Sequence, residues 1–337
     1  MRPVEALERI AYLLERGREE TYRVRAYRGA AGAIRDFDDD DLRRLAAEGR
    51  LRSLPGVGEK TEQVIREALA GDIPGYLRKL EGNLDQREDE HAKAIRAALK
   101  GDCHMHSDWS DGGSPIPDMA IAARELGHEW VALTDHSPRL TVAKGLSPER
   151  LRQQLEIVRD LNKELAPFRM LTGIEVDILE DGSLDQEEDL LAELDIVVAS
   201  VHSKLRQDSE GMTARMLGAV RNPLVNVLGH CTGRIVVGRG RPESTFDAEA
   251  VFGACAEHGV AVEINSRPER LDPPKRLLKQ ALELGCKFVI DTDAHAPGQL
   301  EWQPYGCDRA AACEVPLERI MNTLPAEPFL SWTRSGK

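Results

Sequence analysis

The sequence predicts a closed parallel α/β barrel of seven strand–helix units, preceded by a small all-helical domain. Three observations carry that expectation. From residue 101 onward, short β-branched or apolar runs alternate with amphipathic helical stretches, which is the pattern of a parallel sheet. Six of the nine histidines fall at the ends of the expected strands, and only barrel closure brings all those ends together. Residues 1–82, by contrast, keep helical spacing throughout.

At 337 residues, 41% of them hydrophobic, the chain has enough material for one large domain and one small one. No run of eighteen apolar residues occurs, so no membrane partner is expected. The opening Met-Arg-Pro-Val-Glu-Ala-Leu-Glu has early acids and no apolar core, unlike a secretory or transit peptide. Six cysteines without a close Cys-x-x-Cys pair read as free thiols, and a cytoplasmic location follows. A net charge of −13 excludes a general nucleic-acid coat but leaves room for a local phosphate-binding patch.

In the first domain, Val4, Leu7, Ile10, Ala11 and Leu14 recur at helical spacing. A second helix, Tyr22 to Ile34, is basic, with Arg23, Arg25 and Arg28 beside Tyr22 and Tyr27. The acidic run Asp36 to Asp41 reads as a loop and a helix N-terminus, where carboxylates suit exposed N–H groups. Leu54-Pro-Gly-Val-Gly-Glu-Lys60 is a Gly-x-Gly turn between two helices, and Gly56, Gly58 and Lys60 could hold a DNA phosphate without reading bases. Residues 83–100 form a charged helical linker that ends in a helix over Ala92–Leu99.

Strands are expected near 101–106, 130–134, 169–175, 195–201, 224–229, 260–264 and 287–292. Helices are expected near 115–126, 147–165, 186–192, 210–221, 245–257, 273–285 and 316–323. Period two in the first strand would put His104 and His106 on one face, with Cys103 and Met105 on the other. Thr134-Asp135-His136, Gly173-Ile174-Glu175, Val201-His202, Gly229-His230 and Asp293-Ala294-His295 end later strands. With Asp111 from the first loop, the candidate metal ligands are His104, His106, Asp111, His136, Glu175, His202, His230, Asp293 and His295. Imidazole and carboxylate without thiolate suits Mn²⁺, Fe²⁺ or Zn²⁺, and nine donors are too many for one ion and suit three. Lys204, Arg234, Arg267 and Arg270 follow ligand-bearing strands and are candidates to grip substrate phosphate. Asp135 is expected to orient its neighbouring ligand, Ser107 and Ser203 to support ligands, and His128 and His258 to be structural.

The order and context of these residues resemble the PHP (polymerase and histidinol phosphatase) domain, a distorted seven-stranded TIM-like barrel with a trinuclear site. The resemblance covers residues 101–325 and is closest to the C-terminal PHP domain of bacterial X-family DNA polymerases, through Gly-Met-Thr-Ala-Arg, Gly-His-Cys-Thr-Gly-Arg and Glu-Ile-Asn-Ser-Arg-Pro-Glu-Arg-Leu-Asp. It implies one metal on His104, His106, Glu175 and Asp293, a second on Glu175, His202 and His230, and a third on Asp111, His136 and His295. Asp111 stands where some phosphatase relatives have His, which favours Mn²⁺ over Zn²⁺ or Fe²⁺, and Cys231 stands where polymerase-linked relatives carry Pro. Residues 1–82 are similar to the N-terminal helix-hairpin-helix domain of the same polymerases. The position of that family's lyase lysine is Val64 here, so the domain implies a DNA clamp without Schiff-base chemistry. The linker is too short to hold a polymerase domain.

The expected organisation is therefore a DNA-binding domain at 1–82 using Arg23, Arg25, Tyr27, Arg28, Gly56, Gly58 and Lys60, the linker at 83–100, and a metallo-phosphoesterase barrel at 101–337. The leading function is hydrolysis of DNA phosphodiesters through three divalent ions, as a 3′-5′ exonuclease or in 3′-end or abasic-site processing during repair. His104, His106, Glu175, Asp293 and Arg234 would carry the catalysis. The partners would be DNA at 3′ ends, gaps or nicks, with a separate polymerase or ligase. A phosphomonoesterase acting on histidinol phosphate or a similar metabolite is the alternative, and a DNA-binding scaffold with structural metals is a third reading.

Overall fold

A computed structural model describes residues 1–82 and 89–335. The chain divides into two compact units, Met1–Arg87 and Glu88–Lys337. The opening part of the expected linker, 83–88, lies outside the described residues.

The first unit is five helices: α1 (Pro3–Arg16), α2 (Thr21–Ile34), α3 (Asp39–Ala47), α4 (Glu59–Leu69) and α5 (Gly75–Gly82). Leu7, Ile10 and Leu14 of α1, at helical spacing, are fully buried with Ile34, Leu51, Ile65 and Leu77 in one core. Burying such side chains contributes roughly 1.5–3 kcal/mol each. The acidic run starts α3: Asp38 is its N-cap and accepts from the Asp41 backbone N–H at 2.7 Å, and Asp39–Asp41 fill the first turn. The turn before α4 needs Gly56, whose φ is +82° and whose Cβ would sit 3.2 Å from the Gly29 carbonyl carbon on α2.

The second unit begins with α6 (Glu90–Ala98), which packs on a late helix, α13 (Gln303–Ala312), and gives Ala92 and Ile95 to the barrel's outer core. There follow β1 (Gly101–Met105), α7 (Ile116–Glu125), β2 (Trp130–Leu133), α8 (Pro148–Leu165), β3 (Arg169–Asp177), α9 (Glu188–Glu193), β4 (Ile196–Ser200) and α10 (Ser209–Val220). The remaining elements are β5 (Val227–Leu228), α11 (Ala248–His258), β6 (Ala261–Asn265), α12 (Lys275–Glu283), β7 (Phe288–Asp291), α13 (Gln303–Ala312) and α14 (Ala326–Arg334). All seven strands are parallel and lie in sequence order. The barrel is nearly closed by a parallel bridge from Met105 to Ala294, with the His106 N–H donating to the Ala294 carbonyl at 2.7 Å.

Alternation along the strands sorts the side chains. Val131, Ile174, Val197, Val262 and Ile290 pack outward under the helices, while Trp130, Leu171, Ile196, Val227, Ala261 and Val289 share an inner core. Phe329 of α14 reaches that inner core, its ring centroid 4.2 Å from Trp130, and stops the barrel at one end.

Three expectations change. The helix expected at 316–323 is two 3₁₀ turns, Leu317–Arg319 and Met321–Thr323, the second of which packs on β1 and β7. Helix α13 was hidden by Pro304 and Gly306. Gly306 permits close contact there, since a Cβ would lie 2.3 Å from Ser266 Oγ. In β1 the register slips between Asp102 and Met105, so Cys103 joins the inner core and Met105 the outer one rather than sharing a face.

Candidate metal centre

Strand ends and loops at one end of the barrel bring the nine candidate ligands together around Glu175, which lies near the end of β3 with 1% exposure. Its Oε2 lies 3.3 Å from His104 Nε2, 3.5 Å from His106 Nε2 and 2.9 Å from His136 Nδ1. Its Oε1 lies 3.2 Å from His202 Nε2 and 2.8 Å from His230 Nε2. Asp293 Oδ1 is 3.5 Å from His106 Nε2, and Asp111 Oδ1 is 3.4 Å from His136 Nε2 and 3.3 Å from His295 Nε2. Among the described residues, three groups drawn from these ligands have donor atoms mutually within 4.8 Å: His104, His106 and Glu175; His136, Glu175 and His202; and His106, Asp111, His136 and His295; His104, Glu263 and Asp291 form a fourth.

The cluster fits divalent cations. His104 Nε2, His106 Nε2, His202 Nε2 and Glu175 Oε2 are buried yet have no hydrogen-bond partner, and buried polar atoms are rarely left so. Each can donate a lone pair to a cation, and no thiolate competes. Burial alone would raise the Glu175 carboxyl, but the charges of His202, His104 and His136 outweigh it and hold it well below the usual carboxylate range. Burial likewise disfavours charge on His104, yet Glu175 and Glu263 push its pKa well up. His106, buried and facing His295 and His136, is driven well down. Two residues apart, these imidazoles are forced in opposite directions, as expected where several basic groups share one carboxylate.

A buried outer ring fixes the ligands. Glu263 on β6, fully buried, lies 2.5 Å from His104 Nδ1, and its other oxygen accepts from the His230 backbone N–H. With Nδ1 engaged by the carboxylate, His104 Nε2 faces Glu175. Asp177 holds His202 by its backbone, accepting from the His202 N–H at 3.0 Å, with the same oxygen 3.4 Å from Nδ1. Asp102 accepts from the His104 backbone N–H at 3.0 Å and from Thr292 Oγ1 at 2.7 Å, and burial pushes its own carboxyl up to about 6. None of these three acids was singled out from sequence, although a charge inside an apolar strand was the available signal. Arg215, 1% exposed in the Gly-Met-Thr-Ala-Arg stretch, donates to the carbonyls of Ile178 and Ser203 and ties together the loops carrying Glu175 and His202. Gly229 is required before His230, since a Cβ there would sit 2.2 Å from Ser200 Oγ.

Other assignments are corrected. Asp135 does not orient His136. It accepts from the Ser107 N–H at 2.8 Å, from Ser107 Oγ at 2.5 Å, from Gln154 at 2.7 Å and from Ser110 Oγ, and so anchors the loop that carries Asp111. Arg234 does not line the cleft over the metal cluster: its guanidinium donates to the carbonyls of Arg270 and Leu271 and is spent on loop structure. Lys204 is exposed, with φ +52°, and also lies outside that cleft. Arg267 and Arg270 do line it. Arg270 Nε is 3.0 Å from Asp293 Oδ2, and Arg267 Nη1 is 3.4 Å from Asp293 Oδ1 and 3.0 Å from His295 Nδ1.

In the helical unit a cleft of about 610 Å³ gathers Arg23, Tyr27, Gly56, Gly58 and Lys60, joined by Tyr22 and Tyr76, which the sequence reading did not include among the contacts. Tyr27 and Tyr76 stack at 5.8 Å, Arg23 donates to the Tyr76 hydroxyl at 2.5 Å, and burial beside Tyr76 pushes the Tyr27 phenol up to about 12. Arg25 and Arg28 are not in this cleft, and Arg28 pairs with Glu15 at 2.6 Å. Val64 lines the cleft without an amine.

Comparison with known proteins places this geometry. Residues 102–267 match the PHP domain and residues 2–72 a helix-hairpin-helix domain. The chain is 38% identical over 250 residues to the DNA polymerase/3′-5′ exonuclease PolX of Bacillus subtilis, covering 74% of this chain but only 44% of that protein's length. It is 31% identical over 205 residues to a probable phosphatase of Thermoanaerobacter sp., covering 58% of this chain and 78% of that one. A solved histidinol phosphate phosphatase from Lactococcus lactis, in complex with zinc, L-histidinol and phosphate, is 20% identical with a TM-score of 0.46, covering 64% of this chain and 92% of that one.

The barrel and its imidazole–carboxylate cluster define a metal-dependent hydrolase of phosphoester bonds. The chain belongs to the PHP domain family and carries a helix-hairpin-helix domain at its N-terminus. No helix among the described residues is long and apolar enough to cross a membrane.

Proposed function

We propose that this protein hydrolyses phosphodiester bonds at DNA 3′ ends, as a 3′-5′ exonuclease or end-processing enzyme, with the helical unit as its DNA grip. The observation that carries the reading is a cation-ready cluster at a barrel mouth in the same chain as a cleft built of Arg23, Lys60, stacked tyrosines and a Gly-x-Gly helix start. A small-metabolite phosphatase uses the first and has no task for the second. Exposed Lys144, Lys204, Arg206 and Arg239 on the loops around the barrel mouth also suit a polyanion, in a chain whose net charge is −13.

Three divalent ions are proposed. One would be held by His104, His106, Glu175 and Asp293, one by Glu175, His202 and His230, and one by Asp111, His136 and His295. The carboxylate of Asp111 makes the third set harder and favours Mn²⁺. Bound there, such ions would lower the pKa of water and neutralise charge developing on a phosphoryl group. The chain's own residues do the positioning. Glu263 holds His104 with Nδ1 engaged and Nε2 turned to the centre, and Asp177 holds the His202 backbone in place. Arg267 and Arg270, fixed beside Asp293, present their remaining N–H groups to non-bridging phosphate oxygens. Asp293 itself has φ +51°, a backbone state held in place by these contacts.

The test uses the full chain with Mn²⁺. Release of nucleotide from 3′-labelled single-stranded and nicked duplex DNA is compared with phosphate release from histidinol phosphate, with His104→Ala/His106→Ala as the blank. Metal-dependent nucleotide release with slow monoester turnover is expected. Fast monoester hydrolysis with intact DNA would replace this reading by the phosphomonoesterase.

A further inference from the structure

The imidazole–carboxylate cluster lies in a cleft of about 310 Å³, and part of the wall of that cleft is apolar. Leu140, Val142 and Ala143, on the loop after β2, form one wall, and Ile235, on the loop after β5, contributes to the cleft as well. Val142 is 90% exposed, and Val236 and Val237 beside Ile235 are 48% and 36% exposed. Of the nine exposed large hydrophobic residues among the described residues, Val142 lines the cleft, and Val236 and Val237 follow Ile235, which lines it. Scattered apolar exposure needs no explanation, but apolar side chains gathered at a polar cleft mark a ligand surface.

Both loops are built to hold these side chains in place. Ile235 and Arg241 exchange backbone hydrogen bonds at 3.0 and 2.8 Å, and the Val236 N–H donates to the Glu269 carbonyl at 2.7 Å, which ties this loop to the one carrying Arg267 and Arg270. The other loop closes with Leu146 N–H on the His136 carbonyl at 2.7 Å and with Gly145 so close that a Cβ would lie 1.8 Å from the Ser137 carbonyl oxygen. The same loops expose Lys144 and Arg239.

We infer that these walls are a nucleoside subsite: the terminal phosphate lies on the arginine floor, the base and deoxyribose of its own nucleotide lie against Val142 and Ile235, and the strand continues toward the basic loop residues. The inference rests on the DNA reading above and adds what the cleft recognises in its substrate. The aliphatic side chains decide the occupant: a nucleoside offers Leu140, Val142 and Ile235 a neutral, flat, largely apolar body behind its phosphate, which a small phosphorylated amine does not. The contact is to a face that all bases share, so it confers preference for nucleosides without sequence.

The test is equilibrium binding to the Mn²⁺-loaded full chain, with thymidine 5′-monophosphate, 2-deoxyribose 5-phosphate and inorganic phosphate as probes. Thymidine 5′-monophosphate should bind roughly tenfold more tightly than phosphate, with the sugar phosphate between them. Val142→Ser/Ile235→Ser should reduce that ratio to near one, and Val142→Ser alone, at a side chain the fold does not bury, should reduce it in part. A wild-type ratio near one overturns the subsite, and so does a tenfold ratio that survives the double substitution. The DNA reading fails separately: a protein with the nucleotide preference and no action on DNA keeps the subsite and loses the exonuclease, whereas one that trims DNA without the preference does the reverse.

Discussion

Replacing Glu175 by Gln should abolish metal binding at the centre while leaving the barrel folded. The amide keeps the shape of the side chain and removes a charge that lies within 3.5 Å of five imidazoles. A unit charge about 4 Å away, in a medium of effective dielectric about 20, contributes about 4 kcal/mol, and more for a divalent ion. That corresponds to roughly a thousandfold in affinity. In the wild type, Mn²⁺ at a hundred times its Kd adds about 2.7 kcal/mol of stability, which for a domain of this size raises Tm by roughly 5–10 °C. At the same Mn²⁺ concentration the variant's rise should fall below about 1 °C. The assay is thermal unfolding at pH 8 with and without Mn²⁺, with metal content measured on the desalted protein. A Tm in EDTA close to that of the wild type establishes that the variant folds. If Glu175→Gln keeps both its metal and the full Tm rise, Glu175 is not the hub and the ligand assignment is wrong.

Three further outcomes test other parts of the molecule. Burial and the nearby Arg96 push His128 down to about 3, below its unfolded value near 6.5, so the unfolded chain binds the proton first and stability falls as pH drops through that window. Between pH 7.5 and 5 the loss in denaturant melts should be about 2 kcal/mol smaller in His128→Leu than in wild type, and equal losses would show that His128 is not buried neutral. Arg267→Ala and Arg270→Ala should each lower kcat/KM by roughly 10–100-fold through lost charge-assisted phosphate contacts, whereas Arg234→Ala, removing donors to two loop carbonyls, should instead cost about 1–2 kcal/mol of stability. Lys60→Ala should weaken DNA binding uniformly across sequences and reduce the salt slope by about 1, while Arg28→Ala, which breaks a 2.6 Å pair with buried Glu15, should change the melting of the helical unit and leave the slope alone.

The strands were legible because a parallel sheet buried on both faces demands apolar, β-branched runs, and such runs stand out against charged helices. The imidazole–carboxylate cluster was legible for a related reason: imidazoles and acids that punctuate those runs can only meet at the barrel mouth. The late helices were not. Gln303–Ala312 contains Pro304 and Gly306, which argue locally against a helix, and it forms because Gly306 lets the helix lie directly on Ser266. Here packing overrides propensity. The slip in β1 was equally hidden, since nothing in Gly-Asp-Cys-His-Met signals a bulge.

The supporting groups mark a deeper limit. A residue that binds a cation must be of a particular type at a strand end, so sequence constrains it twice. A residue that orients a ligand need only be polar and in the right place, and place comes from loops that meet across the barrel. Asp135 precedes His136 yet serves Ser107 and Ser110 across the barrel mouth, and Arg234 follows a ligand strand yet holds the backbone at Arg270 and Leu271. Adjacency in sequence therefore misassigned both. Glu263 is hidden for the converse reason: it is 159 residues from His104, and its one signal, an acid on the face opposite Val262 and Ile264, names no partner. Only the barrel turns that face inward, where an acid with no counter-charge would be strongly disfavoured, and its pairing with His104 explains why it is there.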